Sequence, residues 1–348
     1  MKTCNLSKKL MLNGLAATAF ASSITAVASN EVRYAKGLIV PRDASYGVPF
    51  LTWNDPGELP DRIDLRESGH VTPVRNQGSC GSCWAFAGAA VMETAMLRSS
   101  SNELNVSEQE LVSCDRNSYG CRGGWQPFAY MVKNGIGSEA DFPYKAKDLS
   151  CKDIPAVAKA VSWTKIGAPD RRPTDDEMRR AVQDFGAVWV AVAADSSWHN
   201  PKPINTACSN GSINHAVTIV GYEKDDAGKF NFIVKNSWGS GWNGDGYIKS
   251  RLGCDSLGKH ATVVVPADSA CIPPEFGLGK TLTLRGGGDL SAPGLDAAGM
   301  TYSWRRVGKP MPINDDPRRI GPSDSGDYIV TTQNGCGTWE MMVKVKTY

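Results

Sequence analysis

The stretch that most restricts how this chain can fold is Ser82 to Arg98, "SCWAFAGAAVMETAMLR", where small and apolar side chains stand on nearly every face of a helix. A surface helix carries one apolar stripe, whereas a helix that is apolar all round has to be buried. Ser82 stands where an N-cap residue belongs, which puts Cys83 at the first helical position. Unpaired amides and the helix dipole favour an anion there. Three more helices are expected. "SEQELVSC" carries the capping-box spacing at Ser107 and Glu110, and "PFAYMVKN" is ended by Gly135. The last starts at Thr174, with Glu177 three residues on, and stops at Gly186. Further along, the period shifts towards two. "AVWVAVAA", "HAVTIVGYE", "FNFIVKN", "GYIKSRL" and "ATVVVPA" read as strands between glycine-rich turns. Helices early and strands late predict an α+β fold, with a cleft between a helical lobe and a sheet lobe.

The amino terminus has another character. Lys2, Lys8 and Lys9 precede an Ala-rich run that ends in Ala26-Val27-Ala28, so residues 1–28 read as a secretory signal. Asn13, Gly14, Thr18, Ser22, Ser23 and Thr25 interrupt the run and make it a poor permanent span, so no membrane span is expected after cleavage. The mature chain is expected to be secreted or extracellular, or to reside in a periplasmic or lysosome-like compartment, depending on the organism. Disulfides persist in such compartments. Ten cysteines are present, and Cys4 leaves with the signal, so an odd number remains and at least one stays unpaired. Lysine plus arginine number 38 against 36 acidic residues, which gives no reason to expect nucleic acid as a partner. "GGG" at 286–288 lacks the lysine and following helix of a phosphate loop and reads as a turn.

Cys80 and Cys83 lie three apart in "QGSCGSCWAF". A redox pair would need a βαβ context, which this region does not show. A zinc site would need a second closely spaced Cys or His pair, and only four histidines exist, at 70, 199, 215 and 260. No metal and no cofactor are therefore expected. The third reading makes Cys83 a nucleophile, which requires a base, a group orienting that base, and donors for an oxyanion.

"QGSCGSCWAF" resembles the nucleophile segment of papain-like cysteine proteases, whose His and Asn lie about 130–150 residues downstream. His215 and Asn236, the latter inside "KNSWGSGWNGDGYI", stand near those separations from Cys83, and the resemblance continues in "VTPVRNQG", "SEQELVSCD" and "GCRGGW". It covers roughly Leu59 to Pro266. It implies a two-lobe fold and a peptidase acting on protein or peptide substrates. Cys83 would be the nucleophile, His215 its proton partner and Asn236 the group orienting the ring. Trp238 would shield that contact, and Gln77 with the Cys83 N–H would receive the oxyanion. The resemblance also implies disulfides Cys80–Cys121 and Cys114–Cys151, then Cys208–Cys254, leaving Cys271–Cys336 for the last domain. Gly123 and Gly124 would bind the substrate backbone, while Trp125, Gln126, Ile213 and Ala216 would shape a mostly apolar pocket.

Two departures from that family stand out. Only residues 29–58 separate the signal from the protease start, and they show no helical pattern, though extended they are long enough to cross the cleft. Residues 267–348 form an added module with short strands, "KTLTLRG", "MTYSWRRVG", "GDYIVTTQNG" and "WEMMVKVKT". "SDSGDYIV" resembles the D-x-G-x-Y stretch of immunoglobulin-like domains, with Tyr328 as corner tyrosine and Trp304 as core tryptophan, although the usual inter-sheet cysteines are missing. A surface or protein ligand is the expected partner of this module. The domain reading is thus 1–28 signal, 29–58 prosegment-like, 59–266 protease and 267–348 immunoglobulin-like sandwich. Two rivals remain open: a non-catalytic adhesin on a protease scaffold, and a disulfide oxidoreductase using Cys80 and Cys83.

Overall fold

Helix α1 runs from Cys83 to Ser100 and is buried without interruption from Cys83 to Ala95, as its composition demands. The computed structural model describes residues 34–348 except 56, 102, 200, 207, 210, 266–271, 285–287, 309–318 and 321–324. The signal reading at 1–28, the turn at 286–288 and the pairing through Cys271 therefore lie outside the described residues.

Ser82 precedes α1 but does not cap it with its side chain. Its hydroxyl lies 2.6 Å from the Tyr144 hydroxyl, a tertiary partner that outcompetes the local bond. Helix α2 (Glu108–Cys114) has half of the expected capping box: Ser107 Oγ accepts from the Glu110 N–H at 3.0 Å. The Glu110 carboxylate does not reach back, because it accepts from the Tyr130 hydroxyl at 2.8 Å and from the Gly137 N–H at 2.6 Å. Helix α3 (Phe128–Asn134) ends at Gly135 with φ of 77°, a conformation that favours glycine. Helix α4 (Asp175–Phe185) carries both halves of the Thr174/Glu177 box.

The strands that matter here are β1 (Pro49–Thr52), β2 (Arg62–Asp64), β3 (Ser162–Ile166), β4 (Val188–Val192) and β5 (Ile204–Asn205). They are followed by β6 (His215–Lys224), β7 (Phe230–Lys235), β8 (Tyr247–Ser250) and β9 (Lys259–Val265). The last four are β10 (Thr281–Leu284), β11 (Tyr302–Arg306), β12 (Gly326–Asn334) and β13 (Gly337–Thr347). Among the described residues they form one 13-stranded sheet in the order β11-β12-β13-β1-β3-β9-β4-β6-β7-β8-β5, with β10 beside β13 and β2 beside β6. Helices precede most of the strands, as expected. What the sequence does not announce is β1, a strand inside the stretch read as irregular. It lies antiparallel to β13, Pro49 opposite Met341 through Thr52 opposite Thr338, and parallel to β3 on its other side. The C-terminal strands thus share a sheet with the strands around α1. Trp304 and Tyr328 are buried in the same apolar cluster as Leu51, Val263 and Val217.

Beneath β6, Asp255 holds an aromatic stack in place. Its buried carboxylate accepts from Trp198 Nε1 at 3.0 Å, Asn205 Nδ2 at 2.6 Å and the Ser209 N–H at 2.7 Å. Trp198 in turn accepts from Trp242 Nε1 at 2.9 Å through its carbonyl, and its ring stands edge-on to His215. A buried carboxylate is tolerable because these donors replace its water.

Candidate active site

Cys83 begins α1, is fully buried, and is the one free cysteine among the described residues. Cys80 bonds Cys121, Cys114 bonds Cys151 and Cys208 bonds Cys254, matching the three expected pairs that lie within the described residues. A Cys80–Cys83 couple therefore has no partner sulfur to form it. The Cys83 sulfur faces backbone donors of Ala216, Gly37 and its own helix start. Burial pushes its thiol up to about 12, against the opposite pull of those donors.

His215 opens β6 and is equally buried. Its Nε2 lies 2.8 Å from Asn236 Oδ1, which also accepts the Ser237 N–H at 2.8 Å. An amide oxygen only accepts, so Nε2 carries the ring hydrogen, and Nδ1, which has no partner, keeps its lone pair. Trp238 covers this contact, stacked on the His215 ring at 4.6 Å. Desolvation lowers His215 to about 4; the Asn236 bond opposes this and the charge of Lys36 adds to it. Asn236 is held from behind. Its neighbour Lys235 donates to the Thr72 carbonyl at 2.8 Å, and the Thr72 hydroxyl donates to the buried Glu93 of α1. That brace ties the end of β7 to the helix bearing Cys83, and sequence reasoning did not single it out.

Gln77 is buried in the loop before α1, with Oε1 accepting from Ser237 Oγ at 2.7 Å and Nε2 donating to the Cys80 carbonyl at 2.9 Å. Gly123 and Gly124 are glycines for steric reasons. A Cβ at 124 would lie 2.5 Å from the Trp84 indole, and Gly123 has φ of 129°. Trp125 stands edge-on to Trp189 and His260, Ile213 is half-buried, and Ala216 is buried. Gln126 turns away from the expected pocket rim: its amide donates to the His260 carbonyl at 2.8 Å and to Thr262 Oγ1 at 2.6 Å, because β9 offers acceptors there.

The cleft is not open. Residues 34–39 lie across it in extended form. The Gly124 N–H donates to the Gly37 carbonyl and the Ile39 N–H donates to the Gly124 carbonyl, both at 2.9 Å, which is a parallel bridge centred on Leu38. The Leu38 N–H donates to the Asn214 carbonyl at 3.1 Å. Its buried side chain joins the apolar cluster of Ala216, against which Trp125 and Ile213 pack. Tyr34 stacks on Trp238 at 4.6 Å, and Trp238 Nε1 donates to the Ala35 carbonyl at 3.0 Å. These contacts are almost all main-chain, so the sequence carries little sign of them; Gly37 is the exception. A Cβ there would lie 1.9 Å from the Gly81 carbonyl oxygen.

Among the described residues no group of three or more His, Cys, Asp or Glu is placed to hold a metal, and no helix is long and apolar enough to cross a membrane.

Comparison with known proteins agrees with this geometry. The papain family cysteine protease profile matches residues 59–267. The chain is 35% identical to ananain of Ananas comosus over 68% of this chain and 69% of that one. It is 38% identical to mouse (Mus musculus) cathepsin K over 61% of this chain and 66% of that one. Among solved structures, the digestive procathepsin L2 proteinase of Tenebrio molitor matches with a TM-score of 0.60 at 34% identity, covering 67% of this chain and 78% of that one. The bromelain protease of Ananas comosus in complex with the E64 inhibitor matches at 0.54 and 33%, covering 60% of this chain and all of that one. With a free buried cysteine at the head of α1 and a histidine–asparagine contact under a tryptophan, the chain belongs to the papain family of cysteine proteases and is a papain-like cysteine peptidase.

Proposed function

We propose that this chain is an exported cysteine endopeptidase held latent by its own residues 34–39. The carrying observation is the His215–Asn236 contact, which leaves Nδ1 as the free base on the residue next to Ala216, whose backbone reaches the Cys83 sulfur. Cys83 attacks a peptide carbonyl as the thiolate, and His215 takes the thiol proton and returns it to the leaving amine. Asn236 orients the ring. The Cys83 N–H and Gln77 Nε2 receive the oxyanion in a site already shielded from water. The signal reading and the disulfides support export to an oxidising compartment. For residues 267–348 we retain the immunoglobulin-like reading, supported by the buried Trp304 and Tyr328. The main rival remains a non-catalytic adhesin on this scaffold.

Latency has two physical parts. Gly37 and Leu38 occupy the place of a substrate backbone, using both hydrogen-bonding groups of Gly124. Burial under them also favours the neutral thiol and neutral imidazole over the ion pair that attacks. The seat of Leu38 supports a preference for a bulky apolar side chain at the corresponding substrate position.

Four outcomes are expected. With residues 34–39 removed, an E64-type epoxide should label Cys83, and His215→Ala should lower kcat/KM on the order of 10²–10⁴-fold; an unlabelled, inactive wild type would favour the adhesin. A peptide-library profile should prefer Leu over Asp at the position equivalent to Leu38, and equal cleavage of both would refute the pocket assignment. Gly37→Ala in the full chain should unseat the segment, seen as faster Cys83 labelling with kcat of the processed enzyme unchanged. The pH dependence follows from the two shifts. His215 titrates near 4 when covered and ordinarily at 6.5, so below 6.5 the uncovered state gains a proton that the covered state lacks. Cys83 titrates near 12 when covered and ordinarily at 9.0, so above 9.0 the uncovered state loses a proton that the covered state keeps. Hydrogen exchange in residues 34–39, corrected for intrinsic rates, should therefore be slowest between those limits and rise on both sides; a flat profile would contradict the electrostatic part.

A further inference from the structure

Residues 34–52 form two legs with different attachments. The first, 34–39, lies on the cleft. The second is built into the sheet. Lys165 Nζ donates to the Ala44 carbonyl, and the Gly47 N–H donates to the Met342 carbonyl at 2.9 Å. Strand β1 then lies between β13 and β3, with the Gly167 N–H on the Leu51 carbonyl at 3.0 Å and Thr164 Oγ1 on the Pro49 carbonyl at 3.0 Å. Leu51 is wholly buried and Phe50 nearly so. In the sheet order β1 is the sole strand joining β13 to β3 among the described residues, so its loss would open two sheet edges and divide the C-terminal strands from the rest. Between the legs Ile39 and Val40 are 41% and 37% exposed, Arg42 and Asp43 are exposed, and a single turn bond, Ala44 N–H to the Pro41 carbonyl, spans the stretch. Exposed turns of this kind are where chains are nicked.

We infer that activation cuts the exposed turn between Val40 and Asp43, and that the residues from Ala44 onward stay in the mature enzyme as a structural strand shared by the protease sheet and the C-terminal strands. This places the processing site well before residue 59, where the family resemblance begins, and it rests on the latency reading above. The step is hydrolysis of one peptide bond. Water supplies the oxygen of the new carboxylate and the hydrogen of the new amino terminus, and the C–N bond breaks. It runs in trans, because the chain's own sulfur lies under Gly37 rather than under the turn. After the cut, residues up to 40 hold on only through Tyr34, Ala35, Gly37, Leu38 and Ile39 and can leave, while β1 keeps both of its neighbours.

Two full-length variants test this, each carrying a recognition site for an added site-specific protease, one replacing residues 40–43 and the other inserted after Gly57. Cutting in the turn should raise the rate of epoxide labelling at Cys83 by on the order of 10²-fold, as the competent fraction rises. The fragment from residue 44 should still unfold as one unit. Cutting after Gly57 alone should leave labelling at the latent rate, because the severed piece stays paired with β3 and β13. In naturally activated wild-type protein, intact mass should give a first residue between 41 and 44. A first residue at or beyond 58, or labelling that follows only the second cut, would overturn the placement while sparing the peptidase reading. No labelling in any form, even with residues 1–39 deleted, would overturn both.

Discussion

Helix α1 has no face to offer water, and the rest of the molecule is arranged around that fact. Its buried run from Cys83 to Ala95 is covered by α2 and α3 on one side and by the sheet on the other. The junction between these coverings is therefore fixed at the N-terminus of α1, where Cys83 stands. Helix-start amides surround the sulfur there, while β6 and β7 deliver His215 and Asn236 from the sheet side. The Glu93–Thr72–Lys235 chain of hydrogen bonds crosses the same junction, so the two halves of the site are held in register by buried polar contacts as well as by packing.

Residues 34–39 act on this site chiefly through solvation. A thiolate and an imidazolium are stable together where water or dipoles reach them; beneath a dry backbone segment both are driven neutral. Steric cover and loss of nucleophilicity are thus one event. Trp238 links the two, with His215 on one face and Tyr34 on the other. The same ring that shields the His215–Asn236 bond also seats the segment that silences it.

The residues of the site were legible because their chemistry demands particular side chains. Cys83, His215, Asn236, Trp238, Gln77 and the Gly123–Gly124 pair all came from motifs, and the structure brings them together around one cleft. Local signals failed where a distant partner won. Ser82 caps nothing because Tyr144 takes its hydroxyl, Glu110 completes no box because Tyr130 and Gly137 claim its carboxylate, and Gln126 turns to β9. None of these competitors is near in sequence, so no window reading could include them.

By itself the sequence determined the helical core, the unpaired sulfur, the companions of that sulfur and, through resemblance, three disulfide pairs. Each rests on side-chain identity at a fixed spacing. Tertiary structure alone decided the course of residues 34–52, first across the cleft and then into the sheet between β13 and β3. It also decided that the C-terminal strands continue the protease sheet. The physical reason is that both outcomes are carried by backbone N–H and C=O groups, which nearly every residue possesses. Pairing through them depends on which edge is left open in space and leaves almost no trace in the order of side chains.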